Sequence, residues 1–202
     1  MITIVNYGMG NLGSLRNMLK RIGVGATIES DPAQIRHAEK LILPGVGAFD
    51  TAMTHIEGVP GLRQALNQRV LEEHTPILGV CLGMQLLTRS SEEGKLPGLG
   101  WIPGATYRFP KNEGLKVPHM GWNAALPGAP SRLTEGVEEG SRYYFVHSFY
   151  VQVDHPTHSL MKTYYGKQFD SAIEFGNIYG VQFHPEKSHR FGMQILKNFA
   201  EL

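Results

Sequence analysis

An alternation in the first half of the chain narrows the fold most. Short apolar runs (ITIVNY at 2–7, ATIES at 26–30, KLILPG at 40–45, PILGVC at 76–81) are separated by segments with a different rhythm. In those segments apolar residues recur every three or four positions, as on one face of a helix. Leu12, Leu15, Leu19 and Ile22 form the first such stripe, stopped by Gly23. Residues 48–56 and 61–73 form two more, the latter carrying Leu62, Leu66 and Val70, and a short helix fits between 30 and 40. LGMQLL, from Leu82, resumes helical spacing directly after PILGVC. Strands that alternate with helices in this way build a parallel sheet covered on both faces.

Beyond residue 95 the character changes. LPGLGWIPG (96–104), NEGLKVPHMGWN (112–123) and LPGAPS (126–131) are rich in Gly and Pro and predict loops and turns. YYFVHSFYVQV (143–153), SLMKTYYG (159–166), SAIEFGN (171–177) and IYGVQFHP (178–185) are aromatic and β-branched, predicting further strands, partly antiparallel. RFGMQILKNFAEL (190–202) predicts a closing helix. No repeat or linker interrupts the sequence, so one domain over 1–202 is expected. With 202 residues, 42% of them hydrophobic, such a domain can bury one substantial core.

A net charge of +1 gives no electrostatic reason to expect nucleic acid or an anionic membrane as partner. No apolar run approaches the roughly 20 residues of a membrane helix, and the N-terminus lacks a signal-peptide pattern. A single cysteine cannot form an internal disulfide, which favours a reducing compartment and a cytoplasmic location.

That cysteine is Cys81, within Gly79-Val80-Cys81-Leu82-Gly83. A strand end, a tight glycine-flanked turn and a helix start reproduce the layout of a nucleophile elbow. On such a turn the thiol sits at a helix N-terminus, which favours the thiolate. The Leu82 N–H points to where an oxyanion would form. A small buried core residue fits the same spacing. The nine histidines supply one distinctive base, His184 in VQFHPEKS. Pro185 biases His184 toward an extended conformation, in which residues two apart share a side, so Glu186 can orient the imidazole. A surface turn with an incidental ion pair is the alternative. The His-x-Glu pattern of zinc deaminases is a weaker one, since no Pro-Cys-x-x-Cys accompanies it. His119, beside Trp122 in the Gly/Pro-rich stretch, suits either a substrate or partner contact or a local hydrogen bond. His147, at the end of a strand, reads as structural.

Taken together, Gly79–Gln85 and His184-Pro185-Glu186 resemble the class I (triad) glutamine amidotransferases. LPGVGAF (43–49) is similar to the family's oxyanion strand and HSFY (147–150) to its glutamine-carboxylate loop. NYGMGNLGSL (6–15) and VPHMGWN (117–123) resemble the branch that supplies ammonia to a separate βα-barrel synthase in histidine biosynthesis. The resemblance implies a flavodoxin-like three-layer α/β sandwich, mostly parallel in its central sheet, with antiparallel strands added in the C-terminal half. It further implies a Cys81-His184-Glu186 triad that hydrolyses L-glutamine through a thioester. Leu82, Val46 and Gly47 would serve the oxyanion, and Gly45, Gln85, Ser148 and Phe149 the substrate. Asn11, Trp122 and Lys187 would face the barrel partner in a heterodimer. For Gln85 an ordinary helix position is the alternative, and for the last three an ordinary loop or core position. No metal or organic cofactor is implied. Glutaminases of anthranilate, aminodeoxychorismate or pyridoxal phosphate synthesis would share the triad, and a cysteine-elbow chaperone, a redox sensor or a non-catalytic binding subunit could share the elbow.

Overall fold

The computed structural model describes residues 1–110 and 114–202. Four short strands, β1 (Ile2–Val5), β2 (Ala26–Glu29), β3 (Leu41–Leu43) and β4 (Ile77–Val80), are the apolar runs of the first half. Helices α1 (Leu12–Arg21), α2 (Pro32–Ile35), α3 (Phe49–Gly58), α4 (Leu62–Asn67) and α5 (Leu82–Leu86) lie between or directly after them. One π-turn, Gln68–Glu72, extends α4. Asn11 caps α1 by accepting the Ser14 N–H, and Asp31 caps α2 in the same way through Ala33.

Seven strands follow in the second half: β5 (Gly104–Arg108), β6 (His119–Ala124), β7 (Leu126–Pro127), β8 (Arg142–His147), β9 (Phe149–Val153), β10 (Ser159–Tyr165) and β11 (Lys167–Phe175). Strand β12 (Ile178–Val181) and helix α6 (His189–Glu201) complete the chain. The main sheet runs β2-β1-β3-β4-β12-β11-β10-β7, with β9 and β5 joined through β11. From β2 to β12 every pairing is parallel, and beyond β12 every pairing is antiparallel. A separate antiparallel pair, β6 and β8, lies off the main sheet. This is the expected α/β architecture, a covered parallel core extended by antiparallel strands.

Two apolar clusters cover the two faces. One packs Phe49, Ala52, Ile56, Leu62, Leu66 and Leu86 of α3–α5 against Leu43, Ile77 and Ile173. The other packs Leu15 and Leu19 of α1 and Ile195, Leu196 and Phe199 of α6 against Ile4, Ile42, Leu78 and Val181. Alternate residues of one strand, such as Ile77 and Leu78, therefore serve opposite faces, which is why the central strands read as unbroken apolar runs. Among the described residues no helix is long and apolar enough to cross a membrane.

Two expectations need correction. Residues 119–123 are not loop: His119–Ala124 is a strand paired with Arg142–His147. The Gly and Pro residues do not break it, because Pro118 precedes the strand and Gly121, at φ +125, keeps its place in the ladder opposite Phe145. Leu126–Pro127 likewise forms a short edge strand within LPGAPS, where a proline is tolerated because no ladder donor is needed. Asn112 and Glu113 of the predicted loop at 112–123 lie outside the described residues.

Candidate active site

β4 and β12 are adjacent and parallel, with Val80 level with Val181. The Cys81 N–H donates to the Val181 carbonyl at 2.8 Å, so the elbow is tied to the end of the neighbouring strand. Cys81 has φ 56° and ψ −111°, a backbone that an L-residue adopts only under strain. The turn closes because of its glycines. A Cβ on Gly83 would stand 1.8 Å from the Leu43 carbonyl oxygen, and one on Gly79 would stand 2.7 Å from the Gly83 carbonyl. Leu82 is the first residue of α5, so its N–H is one of those a helix leaves free. With only five residues, α5 has little dipole of its own, so the chemistry of the thiol depends more on the neighbouring imidazole.

That imidazole is His184. It follows β12, and its N–H donates to Tyr144 O at 2.9 Å; Ser188 Oγ donates to the His184 carbonyl at 2.6 Å and accepts the Tyr144 N–H. His184 is extended, but Pro185–Lys187 forms a 3-10 turn, so the same-side argument for Glu186 holds for only half of the segment. The turn nevertheless brings Glu186 Oε1 to 2.8 Å from His184 Nδ1, with both side chains almost wholly buried. Burial opposes charge on His184, yet Cys81 and Glu186 outweigh it and raise the group to about 10. Their combined pull favours the imidazolium form of the ring. Its Nε2 makes no full hydrogen bond, and the Cys81 sulfur lies 3.9 Å from the Val146 carbonyl and 3.8 Å from Gln182 Nε2. Contacts of this length are usual before a substrate draws a site together.

The thiol opens into a cavity of about 330 Å³, lined by Val46, Gly47, Cys81, Leu82, Gln85, Ser148, Phe149 and His184 from among the expected residues. Gly45 lies behind it, buried against Tyr7 and Gly83, and Glu186 sits behind His184. Gln85 is buried, its Nε2 donating to Phe149 O and Gln182 Oε1 at 3.1 Å each. Ser148 is the single residue between β8 and β9, where the chain leaves one sheet for the other. Asn11, Trp122 and Lys187 do not line the cavity; all three are exposed, Lys187 Nζ lying over the Tyr144 ring at 5.8 Å.

Three residues escaped the sequence reading. Glu93 lines the cavity and accepts the Phe49 N–H at 3.0 Å, and its burial raises its pKa. Gln182 touches both Cys81 and Gln85, and its place two residues before His184 was the available signal. Tyr7 donates to Pro44 O at 2.6 Å and is held un-ionised by burial, with the Cys81 charge adding to the effect. Among the described residues no group of His, Cys, Asp and Glu could hold a metal ion.

A profile of class I glutamine amidotransferases matches residues 3–202. The chain belongs to the class I glutamine amidotransferases. It is 52% identical over 201 residues to imidazole glycerol phosphate synthase subunit HisH 2 of Methanococcus maripaludis, covering 100% of this chain and 99% of that protein. The Pseudomonas aeruginosa subunit HisH 2 is 48% identical over 202 residues, with both chains fully covered. Among solved structures, a glutamine amidotransferase matches with a TM-score of 0.76 at 18% identity, covering 100% of this chain and 98% of that one. The PurLQS structure from Thermotoga maritima matches at 0.72 and 18%, covering 99% and 97%. These last two likenesses bear on the fold of this amidotransferase alone.

Proposed function

We propose that this amidotransferase, as one domain over 1–202, hydrolyses L-glutamine to glutamate and ammonia for imidazole glycerol phosphate synthesis. The observation that carries this reading is the strained Cys81 elbow and the buried His184–Glu186 pair, with Cys81 and His184 lining one cavity of substrate size. The Cys81 thiolate attacks the side-chain amide carbon, and the oxygen takes up the negative charge. The Leu82 N–H and an N–H from Val46 or Gly47 stabilise it, one such donor being worth about 3 kcal/mol. The C–N bond breaks as the His184 imidazolium gives its proton to the departing nitrogen, leaving a thioester and ammonia. Water then attacks the thioester and His184 takes its proton. The C–S bond breaks, releasing glutamate and restoring the ion pair. Glu186 holds Nδ1 and stabilises the imidazolium throughout.

Substrate positioning follows from the lining. Backbone at Ser148 and Phe149 receives the α-carboxylate, and Glu93, the carboxylate in the lining, suits the α-ammonium. Gln85 has spent its nitrogen on the cavity wall, leaving Oε1 for the substrate. The ammonia acceptor is a βα-barrel synthase that docks as a heterodimer partner on the face bearing Asn11, Trp122 and Lys187, in the cytoplasm where a lone thiol stays reduced. The test is glutamate release, followed with the barrel partner and its nucleotide ligand added separately and together. Wild type should be slow alone and strongly stimulated, mainly in kcat, and Cys81→Ala should be inert throughout. Full turnover by Cys81→Ala would remove the thiol from the reaction.

A further inference from the structure

His119 and His147 have no part in the chemistry above, yet both are buried, 3% and 6% exposed. His119 Nδ1 lies 2.9 Å from His147 Nε2, and His147 Nδ1 lies 2.7 Å from the Phe149 carbonyl oxygen. At the other end His119 Nε2 lies 3.2 Å from Asn123 Nδ2, which also donates to the Tyr164 carbonyl at 3.0 Å. Asn123 Oδ1 accepts the Ala124 N–H at 2.8 Å, which fixes the orientation of its amide.

The hydrogens in this chain have one consistent assignment. A carbonyl only accepts, so His147 Nδ1 carries its hydrogen. Burial holds His147 at about 3, against the pull of that carbonyl, so the ring is neutral and its Nε2 accepts. His119 Nδ1 must then donate. Burial also holds His119 at about 4, so its Nε2 is bare and accepts from Asn123. Every donor meets an acceptor, and all of them point toward the cavity. The rings cannot easily turn, since His119 is stacked on Phe145 at 4.8 Å and Tyr165 at 4.0 Å. The Phe149 carbonyl, where the chain ends, also takes the Gln85 hydrogen bond.

We propose that Asn123, His119 and His147 form a one-way relay of positioning hydrogen bonds that fixes the Phe149 carbonyl, and with it the Ser148–Phe149 backbone that receives the substrate carboxylate. The assignment of that backbone to the substrate rests on the glutaminase reading; the relay itself does not. Keeping both rings neutral also spares the His184 imidazolium a second positive charge close by.

Long-range 1H–15N spectra of the histidine rings in the full chain at pH 7 test the relay directly. Both His119 and His147 should be Nδ1–H tautomers, and an Nε2–H tautomer or an imidazolium at either would overturn it. His119→Phe keeps the packing between Phe145 and Tyr165 but removes both polar atoms, whereas His119→Asn restores a donor near the Nδ1 position. His119→Phe should leave His147 an Nδ1–H tautomer, held by the Phe149 carbonyl, but shift its Nε2 resonance as that nitrogen loses its donor. With the synthase partner present it should also raise KM for glutamine about tenfold, the scale of one orphaned buried acceptor, with little change in kcat. His119→Asn should stay close to wild type in both. Equal losses in the two variants, or an unchanged His147 Nε2 resonance in His119→Phe, would overturn the proposal. The alkylation rate of Cys81 by iodoacetamide should be the same in all three proteins. A wild-type chain without glutaminase activity but with both Nδ1–H tautomers would refute the function and leave the relay standing.

Discussion

Replacing Cys81 by alanine and by glycine separates the strain of the elbow from the chemistry of its thiol. Both changes remove the sulfur and should abolish turnover. They differ in the backbone, because φ 56° and ψ −111° suit glycine and penalise any residue with a Cβ. At an ordinary buried position glycine is the less stable of the two. It loses about 0.5–1 kcal/mol more to chain entropy and about 0.8 kcal/mol for the missing methyl, a deficit near 1.5 kcal/mol. Release of a strained conformation returns about 1–3 kcal/mol, so at position 81 the deficit should shrink by at least about 1 kcal/mol and can reverse. Urea unfolding reads this directly as a difference in midpoint at constant m. A Cys81→Gly protein less stable than Cys81→Ala by about 1.5 kcal/mol, the ordinary deficit, would show an unstrained backbone and refute the reasoning.

Two further outcomes concern the frame around the thiol. Glu186→Gln leaves the His184 imidazolium buried beside a neutral amide, which should cost about 3–5 kcal/mol, as for breaking a buried ion pair. His184 is raised to about 10, so the stabilisation from its charge is complete below its ordinary value of 6.5 and is lost as pH rises through 10. The stability gap between wild type and Glu186→Gln, measured by urea melts, should therefore be widest near pH 6 and shrink toward pH 10; a gap growing with pH would contradict the pairing. Gly83→Ala drives a Cβ to 1.8 Å from a backbone oxygen of β3 and should cost more than about 3 kcal/mol, beyond usual overpacking. A Gly83→Ala protein with wild-type melting would show that the elbow and β3 are not in contact.

The parallel half of the fold was legible because its central strands, β1, β3 and β4, are buried on both faces and so read as plain apolar runs, with β2 the half-buried edge. The proposed triad was legible because a glycine-flanked cysteine and a His-Pro-Glu segment are both local patterns. What escaped depends on contacts between segments distant in sequence. Strand β6 exists through its pairing with β8, and its Gly and Pro residues state only local preferences. Glu93 lies in an irregular stretch and reaches the cavity by accepting the N–H of Phe49, in another element. The Glu186 contact was anticipated for a reason only half correct, since a 3-10 turn makes the approach that an extended segment was expected to make.

The register of two buried strands explains why the reacting groups meet at all. Val80 pairs with Val181, so Cys81 and Gln182 leave the sheet at the same level, and His184 needs only a short bend to reach the elbow. A one-residue slip of β12 would turn Ile178 and Val181, which now pack in different clusters, to the wrong faces. Burial on both sides of the sheet thus penalises the one-residue slips on either side of the catalytic register. The alignment of thiol and imidazole is therefore fixed by the hydrophobic core and needs no separate long-range contact between the two. Only the final orientation, supplied by Glu186, Ser188 and the strained turn at Cys81, is left to polar groups, and those are the groups clustered at the strand ends.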